Sequence, residues 1–197
     1  MIGEALVDAF SQFGLAGMIL ALFLVFLVDS MIFPALPDFF LLVIYATNPH
    51  EDWWGALLWV VAISASFSGN TLLYALVKRF TPPAPIQRAM RRYANLLIIA
   101  DERMLLVNRV APVLPYTGAF IAVNRWDYWK SMRYIVVGAA AKFGVLLLLS
   151  RTFYSLFEAG VAQNATFALI VITIVISLIG SAYEKRRLRR REALAKS

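Results

Sequence analysis

Cysteine is absent from this chain, and histidine occurs once, as His50. Those two gaps remove disulfides, thiolate metal sites, cysteine nucleophiles and histidine-based metal clusters, and they leave a serine–histidine dyad without support. Charge is also scarce, at 16% of 197 residues. No G-x-S-x-G, H-E-x-x-H or glycine-rich phosphate loop occurs. The paired acids Glu51-Asp52 and Asp101-Glu102 fall in loops and read as solvated. The sequence therefore predicts no enzyme, no metal and no cofactor. What is abundant instead is apolar surface: 61% hydrophobic residues and a mean hydropathy of +0.71, well above the usual apolar share of soluble domains.

Six apolar stretches stand out: Phe13–Val28, Met31–Thr47, Trp53–Val77, Met104–Val123, Tyr134–Ser150 and Thr166–Tyr183. A bilayer crossing needs about 20 mostly apolar residues, so the chain reads as an all-α integral membrane protein of one domain, residues 1–183, followed by a basic tail over 184–197. The N-terminal segment carries Glu4 and Asp8 and no basic region, so no removable signal peptide is expected.

Two stretches contain paired prolines: Phe33-Pro34-Ala35-Leu36-Pro37-Asp38 and Ala111-Pro112-Val113-Leu114-Pro115-Tyr116. Proline costs about 3 kcal/mol inside a helix, so Pro34, Pro37, Pro112 and Pro115 break the helix at both places. Broken backbone at membrane depth persists only where protein buries it or where it lines a cavity, and a matched pair of breaks points to a transport site.

Charge placement decides how these stretches cross. The net charge is +7 and is clustered. Lys78, Arg79, Arg88, Arg91, Arg92 and Arg103 lie between the third and fourth stretches; Arg125, Lys130 and Arg133 follow the fourth; the tail carries a third cluster. Six full crossings would split these clusters between the two sides. If the broken elements, about 31–48 and 104–123, dip in and return, about four full crossings remain and every cluster, with both termini, lies on the cytoplasmic side, as the positive-inside rule demands. Asn48–Asp52 then lies outside. The basic residues are thereby accounted for by orientation, and nucleic-acid binding is not expected. A basic amphipathic helix over about 86–100 reads as lying on the cytoplasmic interface.

Ionisable residues inside apolar segments cost about 2.5–3.5 kcal/mol to insert, so by default they are functional or paired. Four qualify: Asp29, Asp38, Arg109 and Lys142. Asp38 sits at the first break and Arg109 at the second, so opposed tips bring them together. Arg109 suits an anionic head group; Asp38 suits a proton-accepting partner; the alternative for both is a static salt bridge. Lys142 stands beside Gly138, Ala139, Ala140, Ala141 and Gly144, a small-residue face that lets another backbone approach. Asn70 belongs to a small, polar face with Ser64, Ser66, Ser68 and Gly69.

Taken in order, three segments resemble the DedA / VTT-domain superfamily of membrane proteins. The Pro34–Asp38 segment resembles the family's first re-entrant element, with Asp38 at its acidic position. Gly69-Asn70 followed by Tyr74 resembles its G-[DN]-x-x-x-Y helix end. Arg109-Val110-Ala111-Pro112 resembles its R-x-x-P second element, with Pro115 where bacterial members often carry a second arginine. The resemblance implies an inverted repeat with two opposed re-entrant hairpins, and translocation of an anionic lipid, a phospholipid or polyprenyl phosphate, with or without proton coupling, in the plasma membrane of a prokaryote. The alternatives are a proton-coupled exporter of small molecules or ions, and a non-transporting scaffold; an oligomer is compatible with each.

Overall fold

The computed structural model describes residues 12, 14–31, 37–80, 82–96, 101–110, 114 and 116–156, with single residues 168, 171, 172, 175, 179 and 186 beyond them. Pro34, Pro112 and Pro115, most of the stretch over 166–183 and all of the tail except Arg186 lie outside the described residues. Among those described there is no strand. Seven helices follow one another: α1 Gly14–Met31, α2 Pro37–Tyr45, α3 Asp52–Arg79, α4 Ala84–Leu96, α5 Met104–Val110, α6 Thr117–Val123 and α7 Tyr128–Leu156.

Three of these, α1, α3 and α7, are long and apolar enough to cross a bilayer, and the chain reads as a membrane protein. The others are not. α2 has nine residues and α5 and α6 have seven each, so at 1.5 Å per residue they span only about 10–14 Å. Of the four prolines expected to break helices, Pro37 is described, and it opens α2 at its first position, where its missing N–H costs nothing.

α7 runs antiparallel to α3. Thr71 pairs with the Tyr128 hydroxyl (2.9 Å), Trp59 donates its indole N–H to the Ala140 carbonyl (2.9 Å), and Arg151 meets Asp52 (2.7 Å). α1, by contrast, runs parallel to α3. Its buried positions Met18, Leu22, Phe26 and Ser30 recur every fourth residue, as do Trp54, Leu58, Ala62 and Ser66 on α3. The Ser30 hydroxyl donates to that of Ser66 (3.3 Å), and Met18 and Leu22 share one core cluster with Trp54 and Leu58. Phe26 stacks edge-on against Phe143, ring centroids 5.0 Å apart, near the middle of α7. An antiparallel α1 would carry Phe26 towards the far end of α3.

This differs from the four-crossing layout, in which α1 and α3 pass in opposite directions. Between them α2 comes back: Trp54 donates to the Ile44 carbonyl (3.1 Å), and the Tyr45 ring lies against Gly55. α1 and α2 thus both pack along α3, α1 parallel to it and the C-terminal end of α2 beside its first turn.

α6 packs on the C-terminal half of α3, where Gly118 lies against the backbone of Asn70 and Tyr74. The Glu102 carboxylate, just before α5, accepts hydrogen bonds from the Asp127 backbone N–H and the Lys130 ammonium (both 3.2 Å), just after α6. The chain leaves and returns at one point. α4, which opens at Ala84 rather than near residue 86, is strongly amphipathic and lays Met90 against the cluster formed by Leu105, Phe120 and Ile121.

Candidate functional site

Asp38 and Arg109 both reach the middle of α7. Asp38 stands in the first turn of α2, where the exposed N–H groups and the helix dipole favour a carboxylate. Its Oδ2 lies 2.7 Å from the ammonium of Lys142, the midpoint residue of the 29-residue α7. The side chains are 13% and 24% exposed respectively, so the pair is largely withdrawn from its surroundings while retaining an open edge. The other oxygen, Oδ1, is buried without a hydrogen-bond partner among the described residues. Lys142 also stands 5.9 Å from the centre of the Phe143 ring.

Arg109 is carried to the same place from the opposite direction, in the last turn of α5. Its stem rests on Gly138 of α7, where a Cβ would come within 2.9 Å of Cγ. Among the described residues, the carboxylates of Asp29, near the end of α1, and of Asp38 act electrostatically on its guanidinium. Two acids and two bases from four separate elements thus balance in charge, which lowers the cost of holding them in an apolar setting.

The tip bearing Arg109 is held by a residue that the sequence reading passed over. Asn108 accepts from the Leu114 backbone N–H (2.7 Å) and donates to the Leu114 carbonyl and the Thr117 hydroxyl (both 3.3 Å). Its amide therefore does for Leu114 what a strand partner would do, pairing both its backbone N–H and its carbonyl. In a continuous helix, residues 108 and 117 would lie about 13 Å apart at 1.5 Å per residue, so these bonds exist only because the chain turns. Tyr116, ending the turn, holds a left-handed conformation (φ 53°, ψ 51°). The available signal was an asparagine inside an apolar helix, directly before an arginine and six residues ahead of the turn's exit.

Asn70 is placed differently. It is buried, donates to the Ser66 carbonyl one turn back (2.8 Å), and leaves Oδ1 without a partner among the described residues. Its own carbonyl is the atom that a Cβ on Gly118 would strike. Asn70 therefore sits on the seam between α3 and α6 rather than in the charge cluster. The neighbouring small residues serve packing in the same way: Leu27 lies against Gly69, and Ser66 meets Ser30.

No group of three or more histidine, cysteine, aspartate or glutamate residues able to hold a metal ion occurs among the described residues. Comparison with protein-family models, curated proteins and solved structures gives no match. The functional reading therefore rests on the geometry and on the motif resemblance alone.

Proposed function

We propose that this protein moves an anionic lipid head group between leaflets, using two re-entrant hairpins that enter the bilayer from opposite faces. One hairpin is α1 with α2, carrying Asp29 and Asp38; the other is α5 with α6, carrying Arg109. Together they make an inverted repeat braced by α3 and α7. The observation that carries the reading is the Asp38–Lys142 ion pair with Arg109 and Asp29 around it, at the middle of a long apolar helix. Charges held there at such cost are by default functional, and a phosphate suits the planar donors of Arg109 and the point charge of Lys142.

Charge distribution supports the orientation. No Lys or Arg precedes Lys78, so everything from the N-terminus to the start of α3 suits the outer face. The basic residues between α3 and α5, those after α6 and those of the tail suit the cytoplasm. In this arrangement α1 is no crossing, and the N-terminus joins Asn48–Asp52 outside, in place of the cytoplasmic N-terminus of the four-crossing layout. The order of the Asp38, Asn70 and Arg109 segments resembles that of DedA / VTT-domain proteins, and this resemblance supports the same activity.

The test is leaflet exchange of a labelled anionic phospholipid in vesicles containing the purified chain. Exchange well above protein-free vesicles is expected, with loss of most of it in Arg109→Ala and in Asp38→Asn. Unchanged exchange in both variants would remove the mechanism. Flux of a small solute down a proton gradient, with no lipid movement, would favour an exporter.

A further inference from the structure

We propose that the groove between α3 and α7, at the ends marked by Asp52 and Arg151, holds one phospholipid with an amine head group, its phosphate on Arg151 and its ammonium on Asp52 and Glu51. The groove has a volume of about 340 Å³ and is lined by Gly55, Trp59, Gly144 and Leu148 among others, in the size range of small-molecule sites. Its lining is mostly apolar, and its polar groups gather at one end: Glu51, Asp52, Arg151 and Tyr45. That division, an apolar slot under a mouth with both signs of charge, matches an acyl chain below a zwitterionic head group.

Three further observations favour a lipid as the occupant. Arg151 and Asp52 pair at 2.7 Å but remain 57% and 76% exposed; an ion pair this open is weak and gives way readily to a ligand offering both partners. Trp53, half-exposed beside Asp52, stands at the same end of α3, the aromatic placement found where apolar core meets head groups. Gly55 faces the Tyr45 ring, while a Cβ on Gly144 would meet only the Trp59 indole nitrogen, at an ordinary 3.5 Å. A larger side chain at 144 is therefore accommodated by the backbone and projects into the lipid's space.

Native mass spectrometry of the full chain in detergent, offered phosphatidylethanolamine and phosphatidylglycerol of matched chains, tests this. One phosphatidylethanolamine adduct per chain is expected. It should be retained on the order of tenfold better than phosphatidylglycerol, the ratio set by a charge-assisted hydrogen bond. Arg151→Gln, a surface change that leaves folding intact, and Gly144→Leu should each remove the adduct, while Asp52→Asn abolishes the preference between lipids. Excess free phosphoethanolamine should leave the adduct in place. Equal retention of both lipids, an adduct indifferent to Gly144→Leu, or displacement by free phosphoethanolamine would overturn the proposal. So would complete disulfide formation between cysteines placed at Leu148 and Ile172, which would make the occupant the chain's own segment. The adduct is read without any lipid movement, so failure here and failure of leaflet exchange are separate results.

Discussion

At the scale of single residues, the argument turns on four charges. Asp38, Arg109, Lys142 and Asp29 were legible in the sequence because ionisable groups in apolar runs are expensive and therefore rare. Their convergence followed from the positions of Asp38 and Arg109 at the two breaks. What sequence spacing did not reveal is that Lys142, rather than Arg109, is the direct partner of Asp38 (2.7 Å), since which face of α7 points inward depends on packing. Asn70 was harder to read, because an asparagine at a small-residue seam satisfies its own helix as readily as a ligand. Removing one partner of the pair strands the other in apolar surroundings: Lys142→Met should lower stability by up to about 3 kcal/mol, near the lower end for a broken buried pair. Lys142→Met with Asp38→Asn should recover most of that loss, as judged by thermal unfolding in detergent, while leaving lipid exchange abolished. Recovery of exchange in the double variant would make the pair a structural brace.

At the scale of elements, the long apolar helices were legible from hydropathy, and α1, α3 and α7 are each long and apolar enough to cross. The direction of α1 was not legible: only its four-residue register with α3 reveals that the two run parallel, and the proposed hairpin of α1 with α2 builds on that. The second turn depends on Asn108, and Asn108→Ala should cost about 1–3 kcal/mol through backbone groups left unpaired. Loss of Arg109-dependent exchange would accompany it; an unaltered melting temperature would contradict the role given to the amide. Gly118→Ala should destabilise by a similar amount, about 1–3 kcal/mol, because its Cβ meets the Asn70 carbonyl on a neighbouring backbone that cannot move aside.

The base of this hairpin is pH-sensitive in a calculable direction. Partial burial pulls the Glu102 carboxyl up, but hydrogen bonds from the backbone at Glu102 and Asp127 and from the Lys130 ammonium outweigh it, and the net displacement is downward. A carboxyl held below its ordinary value stabilises the fold above the unfolded-state pKa and loses that contribution as pH falls through the folded one. The melting temperature should therefore be level from neutral pH to about pH 5 and fall below about pH 4, with the fall reduced in Glu102→Gln. An identical acid profile in that variant would rule the latch out.

At the scale of the whole molecule, the arrangement couples fold to orientation. The proposed hairpins, from opposite ends of α3, would place like elements on opposite faces, and the positive-inside rule would assign those faces, because Lys and Arg begin only at Lys78. The absence of native cysteine makes the claim directly measurable. Single cysteines introduced at Gln12, Asn48, Phe80 and Asn124 can be labelled by an impermeant reagent from either side of sealed vesicles. The account predicts that Gln12 and Asn48 label from one face and Phe80 and Asn124 from the other. Labelling of Gln12 and Asn48 from opposite faces would make α1 a crossing, and labelling of Phe80 and Asn124 from opposite faces would make the segment from α5 to α6 one. Either result would contradict the opposed hairpins on which the proposed lipid path depends.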